Sequence, residues 1–397
     1  MRRVGIFPGS FDPPLKCHLD LAETVMNKYA LDEIIFAPIL AGRGDTKDNS
    51  GYTDRVCMCI ASIVGKHNMR VASRETPSSL LPTLKWLRKS CADARLFCVM
   101  DYSLFSGSMD KLAGKNAYRD MVFICPQQNG DQTGFTRQNA SLCGLDLEML
   151  PFGSMDEAET EARHMVFSLN DPKSMPAGAL KICALKGLYI QDHYQDIKNG
   201  MSEHRWQHTL GVRRSAVALA EKYGGSLIKC AVAAFYHDCA KDMNPKDMRK
   251  VLLDHGTDSR DEILHSGAMM HGPAGAILAE EKYHVYDREV LDAIRYHTTG
   301  REEMTLTDLI IFVADAIEPN RQDYPGLNVI RTLADIDLYA AALYSLYMTR
   351  DYVFERGKIF HLAGQKTITA LEDRLRNDRN LDRAAVELLR EKSSVFN

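Results

Sequence analysis

The residues of this chain best suited to chemistry are imidazoles and carboxylates in its second half: His208, the dipeptide His237-Asp238, His271, His297 and Asp315. Nine of the 13 histidines fall between positions 193 and 297, which points to a metal or phosphate site there. Imidazole and carboxylate together suit Fe, Mn, Zn or Ni rather than Ca or Mg alone. Each of these residues interrupts or ends an apolar stretch of helical pattern. A polar side chain buried there without a partner costs kcal/mol, so partners must exist. A lone histidine is more often a satisfied core residue; five such positions and an adjacent carboxylate are harder to explain that way. Lys241, one turn beyond His237, is placed either to neutralise a phosphate oxygen or to be a solvated surface lysine, and spacing alone does not separate the two.

A second candidate lies at the amino terminus. Gly5-Ile6-Phe7-Pro8-Gly9-Ser10-Phe11-Asp12-Pro13-Pro14 follows an apolar run and precedes a helical pattern. A strand–turn–helix with small residues at the turn lets backbone N–H groups approach phosphates, and the helix dipole favours an anion. The segment is neither a Walker motif nor the dinucleotide fingerprint. On these residues alone, a tight turn between strand and helix accounts for it equally well.

Different kinds of element must position the two groups. In the first part, Val4–Phe7, Glu33–Pro38, Arg70–Ala72, Leu96–Met100 and Met121–Cys125 read as strands, the last two as continuous apolar runs of the kind buried on both faces. Alternation with helical patterns predicts a parallel sheet covered on both sides. Residues 126–141, marked by Gln127, Gln128, Asn129 and Gly130, read as a loop. From about Met201 the pattern is helical: Trp206–Tyr223, Ile228–Ala240, Pro245–Asp254, Pro273–Tyr283, Arg288–His297, Leu306–Ile317, Asp335–Tyr352 and Thr367–Arg376. The expected organisation is an α/β domain over 1–190, a linker over 191–203, an all-α domain over 204–385 and a tail over 386–397.

Composition narrows the classes. The 397 residues are 45% hydrophobic, and 49 Lys+Arg against 53 Asp+Glu give a formal charge of −4. A near-neutral chain is not steered to nucleic acid or to a membrane surface, so neither partner is expected. No apolar run approaches the length that a bilayer crossing needs. Ten cysteines show no paired spacing, and the last 158 residues contain none, which fits reduced thiols in a cytoplasmic protein.

Gly5–Pro14, the strand order and Tyr52-Thr53-Asp54-Arg55 after the second strand resemble the nicotinate-mononucleotide adenylyltransferases of the HIGH-motif nucleotidyltransferase superfamily. The resemblance implies a Rossmann-like fold, Mg with ATP, and nucleotide contacts from Gly9, Ser10, Phe11 and His18. Three departures weaken the implied activity. The family's His-x-Gly-His reads Leu15-Lys16-Cys17-His18 here, and leucine cannot donate a hydrogen bond. Its Ser-Ser-Thr-x-x-Arg signature, matched to Phe167–Ser174, finds no arginine. Its Pro-Pro-His-Lys loop is replaced by Ala41–Lys47, in which Arg43 and Lys47, together with Lys16, are candidate substitutes.

The order His…His-Asp…His…His…Asp resembles the HD-domain metal-dependent phosphohydrolases. Arg205-Trp206-Gln207-His208-Thr209, His237–Asp242, His271-Gly272-Pro273, His297-Thr298-Thr299-Gly300 and Ala314–Arg321 resemble more narrowly the YqeK family of symmetrical diadenosine tetraphosphatases. The resemblance implies two divalent metals, iron foremost with Mn, Zn or Ni as alternatives. His208, His237, Asp238 and Asp315 would hold one, His271 and His297 the other, with Asp238 bridging. Asp238, Lys241 and Asp242 are the implied catalytic groups, and Thr298, Thr299, Gly300 and Arg321 the implied substrate contacts. Glu318 is read as a cap or an arginine partner, and His204, His255, His265 and His284 as surface residues.

The leading expectation is a fused enzyme whose second domain cleaves diadenosine tetraphosphate to two ADP. One alternative places the main activity in adenylyl transfer from ATP to nicotinate mononucleotide. Another makes the first domain a non-catalytic nucleotide-binding module that regulates the second. Dinucleoside polyphosphate, ATP and ADP are the expected ligands, and a homodimer stays open.

Overall fold

The computed structural model describes residues 1–40, 50–72, 78–115, 118, 120–127, 132–152, 158–190 and 193–396, and its chain divides into two compact units, Met1–Tyr189 and Ile190–Asn397. Arg43 and Lys47 lie outside the described residues.

The first unit runs β1 (Arg2–Gly9), α1 (Lys16–Tyr29), β2 (Glu33–Pro38), α2 (Tyr52–Ser62), β3 (Met69–Val71), α3 (Leu80–Ser90), β4 (Ala94–Val99), α4 (Tyr102–Ser106), α5 (Met109–Leu112), β5 (Val122–Pro126), α6 (Gln132–Leu142), β6 (Asp146–Leu150), α7 (Ala158–Phe167) and α8 (Ala177–Lys186). The six strands form one parallel sheet in the order β3-β2-β1-β4-β5-β6. Successive residues alternate between two apolar layers: Ile6, Ile35, Cys98 and Phe123 face one, Phe7, Phe36, Phe97 and Ile124 the other. Both faces are therefore covered, which is why these strands read as unbroken apolar runs. Strand order reverses between β1 and β4, and the turn after β1 carries Gly9 and Ser10. Open α/β sheets bind ligands at such a switch point. Two elements depart from the sequence reading. The polar run expected as a loop over 126–141 contains α6, and β6 extends the sheet by a sixth strand whose short, half-polar sequence gave little signal.

The second unit is helical: α9 (Tyr194–Asn199), α10 (Glu203–Tyr223), α11 (Leu227–Tyr236), α12 (Pro245–Asp254), a 3-10 turn Glu262–His265, α13 (Gly267–Glu281), α14 (Arg288–Tyr296), α15 (Leu306–Ile317), α16 (Leu327–Ile336), α17 (Leu338–Glu355), α18 (Leu362–Asn377) and α19 (Arg383–Arg390). Its helix starts are written in the sequence. Ser202, Ser226, Asn244, Asp287, Thr305 and Asp337 each accept a backbone N–H of the first turn, and Thr305 with Asp308 forms a capping box. Each such cap stabilises by about 1 kcal/mol. Helix α15 packs against α10, α11, α14 and α17 and is apolar almost all round, so it forms the centre of the bundle. The stretch expected as a linker holds α9, with Ile197 buried, and the expected tail includes most of α19, with Leu389 buried. No helix among the described residues is long and apolar enough to cross a membrane.

Candidate functional site

Five helices of the second unit each deliver one part of a polar cluster into an otherwise apolar bundle, the arrangement by which helical bundles build metal sites. His208 lies on α10, His237-Asp238 directly follow α11, His271 lies in α13, His297 directly follows α14, and Asp315 lies in α15. His208, His237, Asp238, His271 and His297 are buried. The histidines that end α11 and α14 are held by the same device. His237 Nδ1 is 2.7 Å from the Ala234 carbonyl, and His297 Nδ1 is 2.7 Å from the Ile294 carbonyl. A carbonyl only accepts, so each ring carries its proton on Nδ1 and presents a lone pair at Nε2.

Those Nε2 atoms converge. His237 Nε2 is 3.4 Å from His208 Nε2, and His271 Nε2 is 3.0 Å from His297 Nε2. Asp238 lies between the two pairs. Its Oδ2 is 3.7 Å from His208 Nε2 and 3.5 Å from His237 Nε2, while its Oδ1 is 3.2 Å from His271 Nε2 and 3.6 Å from His297 Nε2. Asp315 Oδ1 is 3.1 Å from His208 Nε2. Ligands about 2.1 Å from a shared cation stand about 3.0–3.5 Å apart, so the separations suit a metal. His208, His237 and Asp315, and again His237, Asp238 and His297, offer ligand atoms within 4.8 Å of one another. The donor set and its spacing therefore fit divalent metal ions.

The charges agree. Burial drives His237 and His271 down to about 4, which keeps them neutral and able to ligate. His208 is also buried, but Asp315, Asp238 and Glu318 outweigh that and raise its pKa. Asp238 and Asp315 resist burial because imidazoles surround them, with Arg321 also beside Asp315, and both are held well below the ordinary carboxylate range. Positive charge already leans on the cluster. Arg205 donates to Asp238 Oδ2, and Lys241 Nζ is 3.0 Å from His271 Nε2. Lys241 is half-buried, and burial lowers its pKa.

Other expected residues take different places. Arg321 donates to Asp315 Oδ1 at 2.9 Å and to its backbone carbonyl at 2.8 Å, so it orients that carboxylate. Asp242 is exposed and accepts the Ser202 N–H at 2.9 Å, which secures the start of α10. Thr299 and Gly300 are absorbed by the chain turn after α14. Thr299 donates to the Gly300 carbonyl, Thr367 donates to the Thr299 carbonyl, and a Cβ on Gly300, at φ 64, would meet Thr367 Cγ2 at 2.5 Å. Thr298 Oγ1 is buried and bonds to no group among the described residues, which leaves it able to answer a ligand. His204, His255, His265 and His284 are exposed.

Sequence reasoning undervalued two residues. Glu318 is 1% exposed, and its Oε1 is 3.2 Å from His208 Nδ1, so it holds His208 with Nε2 turned toward the cluster. Carboxylate–histidine pairs of this kind orient metal ligands. Helix α10 makes room with Gly211, where a Cβ would stand 2.2 Å from Glu318 Oε2. Arg205 is the other. Glu318 sits three residues beyond Asp315, and that spacing was the available signal.

In the first unit, His18 and Ser10 line the turn after β1, and Phe11 turns its side chain into the core. Its ring is buried against Phe7 and Phe36 and meets His18 edge-on, centroids 5.2 Å apart. Lys16 is exposed at the start of α1. The arginine sought near 167–174 is supplied earlier. Helix α7 carries Thr160 and Arg163 with the spacing of the last four positions of Ser-Ser-Thr-x-x-Arg, and Arg163 donates to the Asp12 carbonyl and, at 2.9 Å, to Thr160.

Comparison with known proteins accords with this geometry. The HD domain family matches residues 205–320. A "Bis(5'-nucleosyl)-tetraphosphatase, symmetrical" of Halalkalibacterium halodurans is 40% identical over 164 residues, 41% of this chain and 87% of that protein. A "Probable nicotinate-nucleotide adenylyltransferase/Ap4A hydrolase" of Mycoplasma genitalium is 23% identical over 326 residues, 81% of this chain and 89% of the relative. A crystal structure of a "predicted HD superfamily hydrolase involved in NAD metabolism" from Clostridium acetobutylicum shares 36% identity, with a TM-score of 0.44, over 46% of this chain and 97% of that one. With 40% identity across nearly the full length of one such relative, this chain belongs, through its second unit, to the HD-domain family of symmetrical bis(5'-nucleosyl)-tetraphosphatases.

Proposed function

We propose that the second unit hydrolyses diadenosine tetraphosphate to two ADP. The observation that carries this reading is the convergence of four imidazole Nε2 atoms on Asp238, with Asp315 beside them. His208, His237, Asp238 and Asp315 would hold one metal and His271 and His297 a second, with Asp238 placed between them; iron is the metal we propose. Bound metals lower the pKa of water and polarise phosphoryl oxygens, supplying the nucleophile and the charge stabilisation. In the reaction one water adds to phosphorus, the bridging P–O bond between the second and third phosphates breaks, and one ADP leaves as the other gains the water oxygen. A polyphosphate brings several negative charges, which Arg205, Lys241 and Arg321 are positioned to meet at the rim of the cluster. The buried, hydrogen-bonded histidines hold the ligand set rigid without drawing protons from the reaction.

The test is product analysis on metal-quantified protein supplied with diadenosine tetraphosphate. ADP as the sole nucleotide product, lost in His237→Ala, supports the reading. ATP with AMP, or no cleavage by metal-loaded protein, overturns the substrate or the cleavage position.

A second reading concerns the first unit: adenylyl transfer from ATP to nicotinate mononucleotide. Thr160 and Arg163 at the mouth of the β1 turn favour it, and Leu15 counts against it. Pyrophosphate release that requires both ATP and nicotinate mononucleotide tests it, and release by an Arg163→Ala variant at the parental rate would refute a role for Arg163.

A further inference from the structure

The turn after β1 already holds an anion, and that anion belongs to the chain. Glu159, in the first turn of α7, accepts the Ser10 hydroxyl with both carboxylate oxygens, at 3.0 and 2.9 Å, and also accepts the backbone N–H of Asp12. His18 Nε2 stands 3.8 Å from Glu159 Oε1, and Arg163 Nη1 stands 4.0 Å from Oε2. His18 Nδ1 accepts the Leu15 N–H at 2.9 Å, so the proton of the neutral ring sits on Nε2 and faces the carboxylate. A hydroxyl, a backbone N–H, an imidazole N–H and a guanidinium thus surround one point at a strand–turn–helix junction, which is the make-up of an anion cradle.

The charges around that point decide what it will accept. Below the turn, Arg55 is 2% exposed and donates to the carbonyls of Ser10 at 2.7 Å and Ile39 at 2.8 Å, while its Nε and Nη2 have no hydrogen-bond partner among the described residues. Asp12 is buried, and its Oδ1 accepts from Ser50 and Tyr189. Cys17 and Cys59 also face Glu159, and burial raises both thiols, which leaves them neutral. Among the described residues, with Glu159 ionised, Asp12 and Glu159 balance Arg55 and Arg163, and the cradle has no net charge to offer a phosphate. With Glu159 neutral it carries one net positive charge.

We propose that Glu159 is an internal anion that gates this cradle, so that the phosphates of a nucleoside triphosphate enter only when Glu159 is neutralised or displaced. The inference rests on the reading of the first unit as nucleotide-binding. Burial supports the gating by raising Glu159 to about 7 and lowering His18 to about 4, so that of these two groups only Glu159 changes charge between pH 6 and 8.

The test is calorimetric binding of α,β-methylene-ATP to the full chain at pH 6 and pH 8. The second unit contributes a background common to every variant of the first. Glu159→Gln is expected to bind at least tenfold more tightly than the parent at pH 8. The parent should gain affinity at pH 6, beyond the small change Glu159→Gln shows from the ligand's own protonation. Adding Arg163→Ala should remove the gain, and Glu159→Ser should reproduce it, which guards against a folding defect in one variant. Equal affinity of parent and Glu159→Gln at pH 8, or a gain that survives Arg163→Ala, overturns the proposal. No binding above background by Glu159→Gln or Glu159→Ser overturns the nucleotide-binding reading beneath it as well.

Discussion

His237 and His18 are both buried, and burial lowers both to about 4, yet they offer opposite things to a ligand. His237 donates its Nδ1–H to a carbonyl and turns a lone pair into its cluster. His18 accepts the Leu15 N–H at Nδ1 and turns its Nε2–H toward Glu159. The first arrangement seeks a cation and the second an anion. The difference lies in the backbone at hand. A helix C-terminus exposes unpaired carbonyls, and His237 and His297 each follow one; a helix N-terminus exposes unpaired N–H groups, and His18 stands in the first turn of α1. One residue type thus makes two kinds of site according to which end of a helix carries it. A further contrast is that the carboxy-terminal cluster gathers imidazole lone pairs around Asp238, whereas the amino-terminal turn is closed by Glu159.

The strongest way to break this comparison is to remove one of the converging lone pairs. His237→Ala is expected to cost at least about 10³-fold in ADP formation, in line with the several kcal/mol that a metal contributes to transition-state charge stabilisation. Bound metal should fall with it, measured by elemental analysis. His18→Ala should leave metal content and diadenosine tetraphosphate cleavage unchanged. Chelation should mimic the first variant, with recovery on adding metal. Retained metal and activity in His237→Ala would falsify the assignment of the cluster.

A smaller effect sharpens the account of how His208 is aimed. Glu318→Ala should weaken metal binding about 10–100-fold, the usual cost of losing the partner that orients a ligating histidine. Glu318→Gln, which can still accept from Nδ1, should recover part of it. The measurement is a metal titration of the stripped protein, with melting temperature as a control for folding. If alanine and glutamine variants bind metal as tightly as the parent, Glu318 is only a packing residue.

Much of this was legible beforehand because each signal was local. The clustered histidines and Asp315 stood out as polar residues breaking apolar helices, and the sheet strands as unbroken apolar runs. What escaped depended on contacts between distant segments. Glu318 looked like a cap until α10 brought His208 and Gly211 against it. Thr299 and Gly300 looked like substrate contacts, but Thr367, 68 residues on from Thr299, claims them for packing. Asp242 looked adjacent to His237-Asp238 in sequence, yet the chain turns after α11 and carries it to Ser202. Arg163 was missed because the register of a degenerate motif cannot be set without the helix that bears it. Strand β6 was missed because only two of its five residues are buried.

The smallest expected effect concerns the tautomer of His18 and can be read without any ligand. Its pKa in the folded chain, about 4, lies below the ordinary value of 6.5 because burial disfavours the charged ring. Above pH 6.5 both folded and unfolded chains hold the ring neutral, and no penalty arises. As pH falls from 6.5 toward 4, the unfolded chain takes up a proton that the folded chain refuses, so stability falls by up to about 1.4 kcal/mol for each pH unit. His18→Asn keeps an acceptor for the Leu15 N–H but does not titrate. Unfolding of its first unit should therefore show a slope shallower by about one proton between pH 6.5 and 4, with little change above pH 7. Denaturant titrations at several pH values measure this. A slope identical to the parent's would mean that His18 titrates normally in the folded chain. The Nε2–H turned toward Glu159, and with it the contrast between the two histidines, would then have to be abandoned.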